Sequence, residues 1–322
     1  MKKIVDDERL IVKCCSLYYD ENLGQKEIAD ILKISRPTVS RLLKAGRESG
    51  IVEVKIHNYS DKEFRDLEKA LEQRFDLREA IVVQDKADEF NQKNEIGYAV
   101  ANYLMRIVKK GDRVGVSMGT TIKPTARYVD VTRPVKAVFV PLIGGVGQVA
   151  SDIHPNQIAM DLANAFSGSV KLLHAPAMIQ NPVLHESLKT DEGLHEVLDE
   201  IDRVNIALVG IGSPTDSKSS MMATGYFDED KLKSLSKFNA VGDICLQFFD
   251  DEGNTEPFIC NQNVFGISIK QLKRIPIVVG AVANEAKWEA VLGAIRGGFV
   301  NVVVMNTACA NRILEETEEQ DA

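Results

Sequence analysis

A run of hydroxyl and basic side chains lies between residues 35 and 44, in the segment SRPTVSRLLK. Its members with DNA-contacting chemistry are Ser35, Arg36, Thr38, Ser40, Arg41 and Lys44, with Pro37 in the first turn. Arginine can bind guanine through two hydrogen bonds, whereas serine, threonine and lysine more often contact phosphates. Residues 34–47 contain no acidic residue, which favours binding to duplex DNA over an ordinary solvated face. Gln25, which begins the preceding segment, is placed to contact a backbone phosphate.

A second group of residues has the chemistry of an anion site. Gly119, Thr120 and Thr121 follow the apolar segment RVGVS and precede a predicted helix. Hydroxyl groups and unpaired N–H groups at the start of a helix bind anions, because these donors and the helix dipole point at the ligand. Lys287 follows the apolar segment PIVVG and could reach the same anion. Each residue alone is explained by helix capping or by an ordinary surface lysine, but their combination favours a site.

Other strand ends offer further candidates for ligand contact. Gly144 and Gly145 follow the run KAVFVPL, where exposed backbone could line a ligand. Asn156 begins the next predicted helix and is equally suited to capping that helix or to contacting a ligand. Asp243 lies among apolar neighbours in the segment VGDIC, where an unpaired carboxylate would be costly to bury.

Three helices must position the DNA-contacting run. Apolar residues recur at helical spacing over residues 8–20 and 25–32. Ser35 is a suitable N-cap for a third helix, and alternating residues at 51–56 predict a β-strand. Helix, turn, helix and strand in this order predict a winged helix-turn-helix over residues 1–57.

From residue 78 onward, short β-branched runs alternate with helical segments. This pattern predicts a Rossmann-like α/β domain over residues 58–322, with a parallel sheet covered on both faces. The predicted strands are AIVV (80–83), RVGVS (113–117), KAVFVPL (136–142), VKLLHA (170–175), NIALVGIG (205–212), PIVVG (276–280) and NVVVMN (301–306). The predicted helices lie at 94–109, 121–129, 155–166, 181–200 and 285–296. Such sheets bind ligands beyond the carboxyl ends of their strands, which is where the anion-site candidates lie.

A charged amphipathic helix is predicted over residues 61–75. Its apolar stripe, Phe64, Leu67, Leu71 and Phe75, is as consistent with packing on a partner chain as with packing on the chain's own domain. The acidic C-terminal segment EETEEQDA predicts a frayed tail.

The composition restricts the class of protein. A chain of 322 residues with 44% hydrophobic and 27% charged residues predicts two folded domains. The net charge of −8 divides unevenly, since residues 1–60 carry 11 Lys/Arg against 9 Asp/Glu. Neither a membrane helix nor the apolar core of a signal peptide is evident. The five cysteines form no CxxC pair, so we expect a cytoplasmic protein with free thiols, without metal, cofactor or membrane association.

The segment GQKEIADILKISRPTVSRLLKAGRESGIVEVKI at 24–56 closely resembles the N-terminal domain of the SorC family of bacterial sugar-responsive transcription regulators. The resemblance continues through SMGTT, PLIGGVG, LLHAPA, VGDIC and residues 284–306, so it covers nearly the whole chain. The family includes the deoxyribonucleoside-operon and central glycolytic-gene repressors. It implies a repressor that binds double-stranded operator DNA as a homo-oligomer, often a tetramer, and responds to a phosphorylated sugar.

The resemblance also implies roles in the sugar site. The residues implied to bind the sugar's phosphate are Gly119, Thr120, Thr121 and Lys287. Asp243 matches an acidic position that accepts hydrogen bonds from sugar hydroxyls. Family members that respond to deoxyribose phosphate carry a lysine within Leu-Lys-Gly-Gly, which forms a Schiff base with the sugar. Ile143 occupies that position here, so this covalent capture is excluded.

An enzyme of the sugar-phosphate isomerase or glucosamine-phosphate deaminase type is the alternative, because the ligand domain of the family resembles those folds. Such an enzyme needs a base in the crevice, for which Asp243 or Glu285 would serve. The N-terminal helix-turn-helix favours a regulator without enzymatic activity, since an isomerase or deaminase has no use for a groove-reading helix.

Overall fold

The computed structural model describes residues 7–52, 62–145, 153–214 and 226–321. The chain divides into two compact units, residues 1–60 and 61–322. The predicted domain boundary at residues 57–58 lies outside the described residues, as do residues 53–56 of the predicted wing strand.

The first unit contains three helices, α1 (Glu8–Tyr19), α2 (Gln25–Leu32) and α3 (Arg36–Glu48). Asp7 begins α1 by accepting hydrogen bonds from the N–H groups of the first turn. Ser35 begins α3, because its Oγ accepts the N–H of Thr38 at 3.3 Å. The three predicted helices are confirmed, and with them the helix-turn-helix.

One apolar core holds these helices together. Its buried members are Ile11, Cys14, Cys15, Leu17, Ile28, Ala29, Val39, Leu42 and Leu43. Val39, Leu42 and Leu43 all come from α3. Their burial leaves the opposite face of α3, with Ser40 and Arg41, exposed.

The second unit is built on a parallel sheet of seven strands in the order β1-β9-β8-β5-β2-β3-β4. These strands are β1 (Glu79–Val83), β2 (Arg113–Val116), β3 (Val138–Pro141), β4 (Ser169–Val170), β5 (Ile206–Gly210), β8 (Ile277–Ala281) and β9 (Val302–Asn306). An antiparallel hairpin is formed by β6 (Gly242–Ile244) and β7 (Gln247–Phe249). The predicted α/β fold is confirmed.

Helices cover both faces of the sheet. Among the described residues, the helices of this unit are α4 (Lys62–Phe75), α5 (Glu89–Ile107), α6 (Pro155–Ala165), α7 (Pro182–Lys189), α8 (Glu192–Asp202), α9 (Glu229–Ser236), α10 (Ile269–Leu272), α11 (Trp288–Arg296) and α12 (Thr307–Asp321). Short 3₁₀ helices span Lys123–Tyr128, Ile259–Asn263 and Glu285–Lys287. In β5, Ala207 and Val209 pack into one apolar core, while Ile206 and Leu208 pack into the other. This alternation is expected of a strand that is buried on both faces. In the described parts of the chain, no helix combines the length and hydropathy needed to cross a membrane.

Several predicted elements differ in detail from the structure. The helix predicted at 181–200 is two helices, because Asp191 caps α8 by accepting the N–H groups of Gly193 and Leu194. The segment predicted as a helix at 121–129 is a 3₁₀ helix, and VKLLHA contributes only Val170 to its strand. The C-terminal segment is not frayed over its described length, because α12 continues to Asp321.

Helix α4 packs on its own unit. Leu71 is fully buried in the core of this unit, and Phe64, Leu67 and Phe75 pack against that core. Of the two alternatives for this stripe, packing on the chain's own domain is therefore correct.

Candidate functional site

The sheet has a topological switch point between β2 and β5. These strands are neighbours, but the chain leaves β2 toward β3 and β4 before it returns to β5 on the other side. Loops that follow such a strand pair diverge and open a crevice at the carboxyl edge of the sheet. Ser117 ties the two strand ends together, because its Oγ accepts the N–H of Gly210 at 3.1 Å.

A small pocket that opens to solvent lies at this crevice. Five predicted effector-binding residues line it together: Gly119, Thr120, Thr121, Asp243 and Lys287. They come from three separate parts of the chain. The first three follow β2, Asp243 lies on β6, and Lys287 ends the 3₁₀ helix that precedes α11.

The loop after β2 offers unpaired donors to this pocket. Gly119 has φ +147°, a conformation that residues with a side chain rarely adopt. Among the described residues, the backbone N–H groups of Gly119, Thr120 and Thr121 donate no hydrogen bond. The element that follows is a 3₁₀ helix rather than the predicted α-helix, so these donors belong to the loop and not to an α-helix N-terminus. Successive free N–H groups in such a loop suit an anion.

Asp243 brings a buried carboxyl to the pocket. Asp243 is only 8% exposed, and burial raises the pKa of its carboxyl to about 6. The positive charge of Lys287 and the nearby backbone N–H of Leu246 act in the opposite direction and lower this pKa. The site therefore combines a cation and free N–H donors with one hydrogen-bond acceptor that changes charge near neutral pH.

The structure does not bring Gly144 or Gly145 into this pocket. The N–H of Gly144 donates to the carbonyl of Phe265 at 2.9 Å, and the N–H of Gly145 donates to the carbonyl of Ala175 at 2.6 Å. The carbonyl of Gly145 also accepts the N–H of Ala177. The backbone expected to line a sugar is therefore already paired within the chain. Gly147, the last residue of the segment PLIGGVG, lies outside the described residues.

Asn156 holds a neighbouring segment in place. Its amide donates to the carbonyl of Leu173 at 3.2 Å and accepts the N–H of Leu173 at 3.1 Å. The N-cap of α6 is His154, whose Nδ1 accepts the N–H of Asn156. Asn156 is thus neither the cap nor among the residues that line the pocket.

The pocket is also lined by residues of a hairpin that the sequence analysis did not predict. Cys245 and Leu246 form the turn between β6 and β7 and contribute to the wall of the pocket. Nothing in their residue types indicates a hairpin, because hairpin turns of this length usually contain Asn-Gly or Asp-Gly.

The DNA-contacting candidates lie on and near α3. Ser35, Arg36, Pro37, Ser40, Arg41 and Lys44 are exposed, while Gln25 and Thr38 are half-buried. The hydroxyl of Thr38 bonds that of Ser35 at 2.8 Å, so it also stabilises the start of the helix. Lys44 forms an exposed ion pair with Glu48 at 3.5 Å. Within the described part of the chain, Arg36 and Arg41 form no ion pair and present their charge to solvent.

Comparisons with known proteins agree with the division of the chain into two units. Residues 61–315 match the family model described as a putative sugar-binding domain, and residues 1–49 match that of sigma-70 region 4. The chain is 32% identical over 313 residues to the sorbitol operon regulator of Klebsiella pneumoniae, covering 96% of this chain and 99% of the relative. It is 29% identical over 315 residues to the deoxyribonucleoside regulator of Bacillus subtilis (strain 168), covering 97% and 99%.

Solved structures show the same similarity. The full-length sorbitol operon regulator SorC from Klebsiella pneumoniae has a TM-score of 0.74 at 32% identity, covering 96% of this chain and 99% of that one. A DeoR family transcriptional regulator from Listeria monocytogenes has a TM-score of 0.71 at 33% identity, covering 78% and 100%.

Proposed function

The chain belongs to the SorC family of sugar-binding transcription regulators, and from this premise we propose that it represses a carbohydrate-metabolism operon under the control of a phosphorylated sugar. It acts in the cytoplasm on double-stranded operator DNA. The relatives named above are regulators of the sorbitol operon and of deoxyribonucleosides, which supports sugar control of transcription in general terms.

The residues of the pocket between β2 and β5 are the observation that supports a phosphorylated sugar as the effector. Thr120, Thr121 and Lys287 line this pocket together with the loop whose N–H groups are free among the described residues, and Asp243 supplies an acceptor. Donors and a cation suit a phosphate, and a carboxylate suits the hydroxyls of a sugar. Ile143 stands where some family members carry the Schiff-base lysine, and it is fully buried, so covalent capture of the effector at this position is excluded.

Operator binding requires more than one copy of the chain. A single helix-turn-helix contacts too few base pairs to select one site in a genome, so such proteins pair two half-sites. We therefore propose a homo-oligomer, and a tetramer as in many members of the family. The DNA-binding residues proposed are the exposed ones of α3 together with Ser35, Thr38 and Gln25.

One observation favours the enzymatic alternative. A buried carboxyl with a pKa of about 6 is suited to act as a general base near neutral pH, as a sugar-phosphate isomerase or deaminase requires. Incubating the chain with a panel of sugar phosphates and following their conversion separates the two functions. A regulator binds its effector without turnover.

A thermal-shift screen tests the proposed effector class. Hexose and pentose monophosphates, the corresponding free sugars and inorganic phosphate are added separately to the full chain. A ligand that binds only the folded state raises the melting temperature, so we expect one or more sugar phosphates to raise it and their free sugars not to. Stabilisation by free sugars alone would contradict the phosphate site.

A further inference from the structure

Asp243 reaches the pocket through a direct backbone pairing with Gly212. The N–H of Gly212 donates to the carbonyl of Asp243 at 3.0 Å, and the N–H of Asp243 donates to the carbonyl of Gly212 at 3.1 Å. This isolated antiparallel bridge joins the β6–β7 hairpin to the segment that follows β5. The hairpin is therefore attached to the sheet at the point where the pocket opens.

The carboxylate of Asp243 occupies the space that a side chain at residue 212 would need. A Cβ built on Gly212 would lie 1.9 Å from Oδ1 and 3.0 Å from Cγ of Asp243. Carbon and oxygen cannot approach to 1.9 Å without a bond, so any other residue at 212 would displace this carboxylate. Gly212 thus leaves room for one specific position of the Asp243 side chain.

The turn beside Asp243 has an unusual backbone. Cys245 and Leu246 both adopt left-handed conformations, with φ of +54° and +61°, as a type I′ turn requires. These angles are unfavourable for residues with a branched or bulky side chain. The turn brings the backbone N–H of Leu246 close enough to the Asp243 carboxyl to lower its pKa. Among the described residues, no donor forms a hydrogen bond with this carboxyl, so its acceptor capacity is left for a ligand.

We propose that Gly212 is a positioning residue, which fixes the Asp243 carboxylate so that the pocket selects polyhydroxylated phosphates over a bare phosphate anion. The inference rests on the proposed function, because it takes the ligand to carry hydroxyl groups that Asp243 accepts. Gly212 would then determine specificity without itself contacting the phosphate.

The test compares affinity for two probes. Dissociation constants of inorganic phosphate and of the sugar phosphate with the largest thermal shift are measured by calorimetry for the full chain and for Gly212→Ala. Selectivity is defined as the ratio of the two constants. Loss of a hydrogen bond to a charged group weakens binding roughly 10-fold or more. We therefore expect Gly212→Ala to lower selectivity roughly 10-fold while the affinity for inorganic phosphate is unchanged.

Gly193→Ala is the matched control. A Cβ on Gly193 would lie 3.4 Å from Oδ1 of Asp191, which is an ordinary contact, and the residue is exposed in the first turn of α8. This variant should keep the selectivity of the parent chain. It makes the same chemical change beside a carboxylate without displacing it.

A second pair of variants covers the case in which Gly212→Ala does not fold. Asp243→Ala removes the carboxylate, and with it the clash, so the double variant Gly212→Ala/Asp243→Ala should match Asp243→Ala in selectivity. A further loss in the double variant would overturn the proposal, as would parental selectivity in Gly212→Ala. If the parent chain itself binds both probes equally, the proposed effector class fails and this inference fails with it.

Discussion

Lys287 and Asp243 line one pocket with opposite charges, and the charge of Lys287 acts directly on the Asp243 carboxyl. Burial is the larger influence and raises the pKa of that carboxyl to about 6, while Lys287 lowers it. Lys287 therefore compensates the negative charge of the Asp243 carboxylate only in part. A buried charge of this kind costs stability unless a ligand completes its partners.

The pKa of Asp243 predicts how stability depends on pH. Between the ordinary pKa of an aspartate, 3.8, and the folded-state pKa of about 6, the folded state holds more protons than the unfolded state, so the free energy of unfolding falls as pH rises through this range. Two pH units correspond to about 3 kcal/mol. The free energy of unfolding of Asp243→Asn, relative to that of the parent chain, should therefore rise by up to about 3 kcal/mol between pH 4 and pH 7. Above pH 7 this difference should stay constant. Urea unfolding at several pH values measures this difference, and a difference independent of pH would contradict it.

Thr120 and Lys287 are expected to bind the effector's phosphate. Replacing both by alanine removes a hydroxyl donor and a cation, so sugar-phosphate affinity should fall roughly 100-fold. DNA affinity in the absence of effector should not change. Calorimetry and fluorescence anisotropy measure the two affinities.

The matched control for this pair is Thr132→Ala with Lys109→Ala, which changes two exposed residues of the same types outside the pocket lining. It should bind the effector like the parent chain. A normal response in the Thr120/Lys287 double variant would mean that the phosphate binds elsewhere.

Arg41 is expected to contact the operator. It is exposed on α3 opposite the buried Leu42 and Leu43. Loss of one base-reading arginine costs about 1–3 kcal/mol, so Arg41→Ala should weaken operator binding roughly 10-fold or more. Effector-induced thermal stabilisation should be retained. Arg9→Ala, at an exposed arginine on α1, is the control, and equal effects of the two variants would remove the recognition role of Arg41.

Glu68 and Glu72 are expected to protect the edge of the sheet. β1 is an edge strand, and the Glu68 and Glu72 side chains accept the N–H groups of Val82 at 2.9 Å and Ala80 at 3.0 Å. Glu68→Ala leaves the Val82 N–H without this acceptor and should cost about 1–3 kcal/mol of unfolding free energy. Glu68→Gln keeps a carbonyl acceptor and should cost much less, since burial already raises the pKa of the Glu68 carboxyl. Equal losses in urea unfolding would contradict this role.

Regular elements of the chain could be predicted because their signal is local. The continuous apolar runs of β5, β8 and β9, and the cap of α3 at Ser35, follow from residue order alone. The β6–β7 hairpin could not be predicted this way. Its strands are three residues long, and its turn is Cys245-Leu246 instead of the usual Asn-Gly.

The site could be predicted in part for a related reason. Their position after strands indicates that Gly119 and Gly144 both lie at the carboxyl edge of the sheet. It does not indicate whether the backbone groups there already form hydrogen bonds within the chain. Beyond β3 the backbone is paired with residues 175–177 and 265, which are distant in sequence. Beyond β2 the loop N–H groups stay free among the described residues. Only the three-dimensional packing separates these two cases.

We expect DNA binding and sugar-phosphate binding to be coupled in one chain, and fluorescence anisotropy on promoter fragments measures this coupling. At low salt the chain should bind one fragment from a carbohydrate operon much more tightly than unrelated DNA, and its affinity should fall steeply with salt. Adding the sugar phosphate found by thermal shift should change that affinity by about 5- to 150-fold, while its free sugar should not. Equal affinity for all fragments and unrelated DNA at low salt would contradict operator binding by this chain. An affinity that the sugar phosphate leaves unchanged would contradict its control by the effector.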